Sequence, residues 1–356
     1  MDRPLRIVLM GTGPFAVPSF RALVESQKHS VVLCITKPNP PVVGKGKAPI
    51  NPVYEWALSQ NFEIFQPATI NEPSAIAKLQ ATQADLFLVC DYGQILSAEA
   101  LSQAKLGGIN LHGSLLPRHR GAAPVQWAIL RGDATTGVSV IHMSPHLDAG
   151  PILAIRETPI GEHETAEQLE PRLAELGVAC TLESIEAIAE MDSLDAVATL
   201  GKIQDPALVT KARRLSKQDG AIDWSFSCRV IDRAIRGLQP WPGAYGELNL
   251  DGTKQLRIVI KDSYPRPYLG TMNPAWLPGQ VLFGSALETR LEHCQPSQRC
   301  GAKFAIACND GVMVIDSLQP AGKRAMSSSE FLAGYQRFEE MQWIPPVANR
   351  LLQQLS

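Results

Sequence analysis

The sequence predicts an α/β fold: a doubly wound, mostly parallel Rossmann-like sheet followed by a smaller β-barrel. Three observations carry this reading. Through the first half, apolar runs of strand length alternate with helical stretches, an order that builds parallel strands joined by crossover helices. Past residue 210 the pattern changes to short strands separated by turns. The length of 356 residues, 45% of them hydrophobic, is enough to bury two cores. The expected division is a first domain over 1–191, a linker over 192–210 that ends in Asp205-Pro206, and a second domain over 211–356.

Taken in order, residues 5–10 read as an apolar strand, 15–25 as a helix, 31–36 as a strand, 51–60 as a helix and 62–65 as a strand. A helix over 75–82 precedes strands over 86–90 and 108–112. Strands over 138–143 and 152–156 follow, then a helical stretch over 165–190 that Pro171 and Gly177 are expected to interrupt. Beyond the linker a helix is expected from Asp223-Trp224-Ser225 through Arg236, with Asp223 or Ser225 as its cap. Short strands then read at 244–248, 256–261, 279–283, 303–307 and 312–315, the last two joined at Asn309-Asp310-Gly311. Five such strands suggest a small barrel.

Composition narrows the class. No apolar run approaches the length of a membrane span. The N-terminus holds Asp2, Arg3 and Arg6 and then enters a strand with no cleavable signal pattern, so a cytosolic location is expected. The seven cysteines are scattered and none forms Cys-x-x-Cys, which supports neither a disulfide framework nor a zinc site. Most read as buried small hydrophobes, whereas Cys294 and Cys300 lie in a polar insertion and are expected to be exposed. The net charge of −2 hides a division: residues 1–205 hold 15 Lys and Arg against 22 Asp and Glu, and residues 206–356 hold 18 against 13. A basic second half is a reasonable footprint for a nucleic-acid ligand, because phosphates attract cations regardless of sequence.

The densest chemistry lies in Asn110-Leu111-His112-Gly113-Ser114-Leu115-Leu116-Pro117 and, further on, Leu147-Asp148-Ala149-Gly150. Strand alternation places Asn110 and His112 on one face. Asp148 follows the next strand, so all three can meet where open α/β sheets bind ligands, outside the carboxyl edge. A carboxylate beside an imidazole favours the charged ring. Imidazolium and amide are both donors, as an oxyanion on an attacked carbonyl requires, and the carboxylate can take a proton from an amine nucleophile. Acyl transfer without a covalent enzyme intermediate is the chemistry this describes. Spacing alone equally permits Asn110 as a turn cap, His112 as a satisfied polar residue and Asp148 as a turn residue.

The run from Asn110 to Pro124, with Arg118, Arg120, Gly121, Ala122 and Ala123, resembles the signature of the folate-dependent formyltransferases, and Leu147-Asp148-Ala149-Gly150 is similar to their second motif. Met10-Gly11-Thr12, Phe15-Ala16-Val17-Pro18-Ser19, Tyr92-Gly93-Gln94-Ile95-Leu96, Leu215-Ser216-Lys217, Ile222-Asp223-Trp224, Pro240-Trp241-Pro242 and Leu318-Gln319-Pro320-Ala321-Gly322-Lys323 extend the likeness over nearly the whole chain. Within the family it is strongest to the branch acting on a charged tRNA. The resemblance implies formyl transfer from 10-formyltetrahydrofolate to the α-amino group of initiator methionyl-tRNA, with Asn110, His112 and Asp148 catalytic. It also implies an OB-like barrel, a folate pocket formed by Tyr92, Gln94, Ile95, Leu96, Ser114, Leu115, Leu116 and Pro117, and a basic loop reaching the tRNA. No metal and no membrane are expected, and the chain is expected to be a monomer.

That basic loop, residues 37–49, combines Pro38, Pro40 and Pro41 with Gly44-Lys45-Gly46-Lys47 and lacks the P-loop spacing, so Lys37, Lys45 and Lys47 are expected to touch phosphates without reading bases. Gly11-Thr12-Gly13-Pro14-Phe15-Ala16 fits the dinucleotide pattern, but the second strand ends in Thr36-Lys37-Pro38 instead of an acidic residue, and a tight turn is the simpler reading. Asp91 departs from the family, in which a small residue usually precedes Tyr-Gly, and could disturb folate binding or the protonation of His112. Gly13-Pro14, Lys45 in place of Arg, and an extra polar loop over 289–302 also depart. His119 and His146 read as solvated. The other functions to weigh are formyl transfer to a sugar amine and noncatalytic folate or RNA binding.

Overall fold

A computed structural model describes residues 4–39, 51–249, 255–269, 277–295, 303–335, 342–343 and 349–355. The chain divides into two compact units, one of Met1–Val125, Ala134–Ile160 and Gln168–Arg214, the other of Gln126–Asp133, Gly161–Glu167 and Leu215–Ser356.

The first unit is built from β1 (Arg6–Gly11), α1 (Val17–Ser26), β2 (Ser30–Ile35), α2 (Pro52–Ser59), β3 (Ile64–Phe65), α3 (Pro73–Thr82), β4 (Leu86–Cys90), α4 (Ala98–Leu101) and β5 (Gly108–His112). The short β6 (Arg120–Gly121), β7 (Thr135–His142), β8 (Ile152–Pro159) and α6 (Ala166–Ala189) follow, while α5 (Pro124–Arg131), between β6 and β7 in the chain, falls mostly in the second unit. Its sheet has the order β3-β2-β1-β4-β5-β7-β8. Ladders from β3 to β5 are parallel, and β7 and β8 are antiparallel to their neighbours. Strands β1 and β4 lie at the centre, and five of the six residues of β1 and all five of β4 are buried. Near-continuous apolar runs are what a strand covered on both faces requires.

Helix α6 runs unbroken through Pro171 and Gly177, contrary to the interruption expected there. A Cβ built on Gly177 would lie 2.7 Å from Leu111 Cδ2, so the missing side chain lets the helix close onto β5. The contact with the sheet outweighs the roughly 1 kcal/mol that glycine costs a helix interior. Helix α5 has no counterpart among the elements expected from sequence. Residues 192–210, read from composition as a linker, carry α7 (Leu194–Ala198), and an isolated bridge then pairs Lys202 with Ile152. Just beyond, β9 (Lys211–Ala212) pairs in parallel with β6.

The second unit holds α8 (Cys228–Gly237), β10 (Ala244–Asn249), β11 (Gln255–Pro267), β12 (Val281–Phe283), α9 (Gly284–Leu291), β13 (Phe304–Ala307), β14 (Gly311–Pro320), β15 (Met326–Ser327), α10 (Ser328–Gly334), β16 (Gln342–Trp343) and α11 (Arg350–Leu355). They form an antiparallel sheet in the order β12-β13-β14-β11-β10-β16, with β15 on β14. A Cβ built on Gly279, just before the first of these strands, would lie 3.9 Å from Cβ of Trp343 on the last, so the sheet curls. Among the described residues its ladder path stays open. Helix α8 begins later than expected: Asp223 turns its carboxylate onto Ser225, and the Ser227 side chain caps the helix by accepting from Val230 N–H. Strand β11 runs well past residue 261 because a bulge at Asp262 bends it without ending its pairing with β14. Cys294 is buried at 3% exposure against Leu282 and Leu287, which corrects its expected exposure, and Cys300 lies outside the described residues.

Candidate active site

The site is assembled on β5. Pairing with β4 on one side and β7 on the other holds Asn110 opposite Val89 and Ile141, and His112 opposite Ser139. The two side chains share a face, as alternation requires. His112 Nε2 lies 2.9 Å from the His119 carbonyl oxygen. A carbonyl only accepts, so Nε2 carries a proton and Nδ1 is the nitrogen that faces Asp148.

Asp148 reaches Nδ1 by a route that the strand pattern did not show. Because β7 runs antiparallel to β5, its carboxyl end lies at the amino end of β5: His142 is opposite Ile109, and Met143 N–H donates to Gly108 C=O at 2.7 Å. The loop 143–151 therefore folds back along the strand pair, and the trio lies against the flank of β5 instead of wholly beyond the sheet edge. Asp148 Oδ2 stands 3.8 Å from His112 Nδ1, with side-chain exposures of 9% and 7%. Oδ2 also accepts from Gly121 N–H at 2.8 Å, and Oδ1 is 3.5 Å from Asn110 Nδ2. The backbone of Asp148 is left-handed, φ 50°, which Asp tolerates better than most residues. A Cβ on Gly150 would fall 1.7 Å from the His142 carbonyl oxygen, so no other residue fits the return. One carboxylate, one imidazole and one amide thus face a common, largely dehydrated space.

The residues expected to hold folate divide into wall and frame. Ile95 is 61% exposed, a large apolar side chain left open after β4. Leu96, Leu116 and Tyr92 are buried at 2–4%, and Tyr92 and Leu96 belong to the core cluster beneath the sheet. Gln94 accepts from Ile70 N–H and turns its amide toward the carbonyls of Pro67 and Ala68. Ser114 Oγ donates to Arg118 C=O, and Ser139 Oγ joins Leu116 N–H to Ser114 C=O. Leu115 and Pro117 are half-buried, and the Leu116–Pro117 peptide is cis. The polar groups of Gln94 and Ser114 are engaged within the protein, whereas the Tyr92 hydroxyl is buried without a hydrogen-bond partner among the described residues; a flat heterocycle would find apolar walls from Ile95 and Leu115 and main-chain groups along the neighbouring loops.

Lys37 is half-buried, and its ammonium lies over Gly93, where a built Cβ would meet Nζ at 2.4 Å. It faces the Asp91 carboxyl, which crowding by protein pushes up to about 6 against the pull of Lys37 and of the Gly13 N–H. Glu170 is likewise raised, by burial and then by Asp91. Lys45 and Lys47 lie outside the described residues. His119 corrects the solvated reading: it is 3% exposed, φ 59°, and its N–H donates to Thr210 Oγ1 at 2.8 Å. His146 is exposed. Among the described residues no group of three His, Cys, Asp or Glu could hold a metal ion.

Sequence reasoning missed Gln204. It is buried at 6% exposure, accepts from Arg120 Nε and Nη2 at 3.0 and 2.7 Å, and donates to the carbonyls of Asp148 and Gly150, both at 2.8 Å. Its only sequence signal is the position just before the Asp205-Pro206 turn.

Two family models match the chain, "Formyl transferase" over residues 5–185 and "Formyl transferase, C-terminal domain" over 214–336. The chain is 47% identical to a methionyl-tRNA formyltransferase of Rhodopirellula baltica, over 97% of this chain and 98% of that one. It is 37% identical to one from Symbiobacterium thermophilum, over 93% and 92%. Among solved structures, HypX from Aquifex aeolicus in complex with tetrahydrofolic acid superposes with a TM-score of 0.58 at 16% identity, over 94% of this chain and 48% of HypX. The sugar 3N-formyl transferase WlaRD superposes at 0.56 and 16%, over 90% and 100%. At such identities the likeness is one of fold.

Proposed function

The chain belongs to the formyl transferase family, and on that premise we propose that it transfers a formyl group from 10-formyltetrahydrofolate to the α-amino group of initiator methionyl-tRNA. The observation that carries the reading is the convergence of Asn110, His112 and Asp148 on one flank of β5. The co-substrate supplies the one-carbon carbonyl. Asn110 and protonated His112, through Nδ1, donate hydrogen bonds to the oxygen of that carbonyl as the amine attacks. Asp148 holds the positive charge on the ring and accepts, directly or through one water, the proton that the amine loses as the new C–N bond forms; when the tetrahedral adduct collapses, the bond from the formyl carbon to the folate nitrogen breaks, that proton passes to the departing nitrogen, and tetrahydrofolate leaves. The His119 carbonyl fixes the ring from behind, so the imidazole needs no reorientation during the reaction.

Ile95 and Leu115 wall the folate, and the loops 91–97 and 113–118 offer main-chain groups to its edge. Lys37, Lys45 and Lys47 and the basic residues of 211–356 attract the phosphates of the tRNA. The second unit is read as an OB-like barrel and 192–210 as the connection to it. The enzyme is cytosolic and monomeric in this reading. Purified chain with 10-formyltetrahydrofolate should formylate charged initiator tRNA and leave free methionine and amino sugars untouched. Transfer to an amino sugar, or ligand binding with no transfer, would replace the proposal by the corresponding alternative.

A further inference from the structure

We propose that Gln204 is a positioning residue for Asp148, locking the carboxylate against His112 from a part of the chain that lies beyond the catalytic strands. This rests on the catalytic reading of Asp148 given above.

The loop 143–151 has no helix or strand of its own, yet it must present a side chain to His112 from a left-handed backbone at residue 148. Main-chain carbonyls in such a return need donors. Two of them, from Asp148 and Gly150, are met by the single amide nitrogen of Gln204. The amide oxygen meanwhile accepts both guanidinium contacts of Arg120. Four hydrogen bonds exhaust what a Gln side chain can make, and they allow only one orientation of the amide.

The circuit closes on the carboxylate itself. Arg120 precedes Gly121, whose N–H donates to Asp148 Oδ2. Gln204 therefore grips Asp148 through its backbone on one side and the segment that binds its carboxylate on the other. The segment carrying Gln204 is anchored on both flanks: Lys202 exchanges two 2.8 Å backbone bonds with Ile152, and Thr210 bonds to His119 N–H and Arg120 N–H. The same stretch thus fixes the Asp148 loop and the carbonyl that orients His112. Shortening the side chain by one methylene, or removing its donor, releases both carbonyls into a nearly dry site. An error of about 1 Å in the placement of a catalytic group costs on the order of a hundredfold in rate.

The test uses Gln204→Met, which keeps length and loses all four bonds, and Gln204→Glu, which keeps an acceptor for Arg120 and loses the donor to the loop. Both are compared with Asp148→Asn and the double variant Asp148→Asn/Gln204→Met, by formyl transfer and by amide hydrogen exchange at Gly121 in protein labelled with 15N-glycine. Expected are a kcat lowered by about tenfold to a hundredfold with KM changed less than about twofold. The Gly121 amide should exchange faster in both Gln204 variants, and Gln204→Met should add little in the Asp148→Asn background. Unchanged Gly121 protection in both Gln204 variants overturns the inference, as does an equal loss of rate with and without the Asp148 carboxylate. If the wild-type chain transfers no formyl group, the proposed function falls, and Gly121 exchange alone still decides whether Gln204 places Asp148.

Discussion

Asp148→Asn isolates the charge of the carboxylate from its geometry. Asn is at ease in the left-handed backbone at φ 50°, and its side-chain oxygen can still accept from Gly121 N–H. What disappears is the negative charge 3.8 Å from His112 Nδ1. Two unit charges at that separation, at an effective dielectric constant of about 20, attract by about 4 kcal/mol. Both side chains are over nine-tenths buried, so bulk screening removes little of this. If the charged ring that donates to the forming oxyanion depends on the whole of this attraction, the rate falls by about a thousandfold. Single-turnover formylation of charged initiator tRNA at saturating enzyme measures that step without product release. The loss should be insensitive to salt between about 50 and 200 mM, because the pair lies inside the protein. A variant within about tenfold of wild type, with thermal melting unchanged, would refute the assignment of Asp148 to the reacting centre.

Further outcomes can be stated together. His112→Asn removes both the Nδ1 donor and the bond to the His119 carbonyl, and should lower kcat by about a hundredfold to ten-thousandfold in the same assay. Asp91 has a folded-state value near 6, above its ordinary 3.8. It therefore contributes stability fully below about 3.8, and that contribution is lost as pH rises through about 6. Asp91→Asn should accordingly be more stable than wild type at pH 8, by about 1 kcal/mol once discounted for the exposure of the residue, with the gap closing toward pH 4 in urea titrations. Gly150→Ala forces a methyl group against the His142 carbonyl and should cost about 3 kcal/mol of unfolding free energy. Replacing Lys45 and Lys47 together by Ala should lower the dependence of tRNA affinity on log salt by about one unit per lysine; an unchanged slope would remove them from the interface.

The parts of the molecule written in local pattern were legible before any coordinates. Strands β4 and β5 begin and end where their apolar runs do, and the shared face of Asn110 and His112 follows from a period of two. Direction is different. Nothing in residues 138–143 distinguishes a parallel strand from an antiparallel one, so the return of the 143–151 loop was invisible. Local pattern misled where tertiary contact overrode propensity: Gly177 sits mid-helix because Leu111 needs the space, and the strand read over 256–261 bends at Asp262 and continues. Cys294 looked exposed because its neighbours are polar, yet Leu282 and Leu287 close over it. His119 and Gln204 escaped for a single reason. Their partners lie 7 to 91 residues away along the chain, and a bond over such a span leaves no local periodicity to read.

The parallel pairing of β6 with β9 has a practical corollary for dissecting the enzyme. A fragment cut at the end of α6 would keep every strand of the first sheet and would be expected to fold, bind and look intact by circular dichroism. It would nonetheless lack Gln204, Thr210 and Ala212, and with them the outer brace of the proposed reaction centre. The smallest autonomous catalyst should therefore end no earlier than Arg214, where the first unit ends.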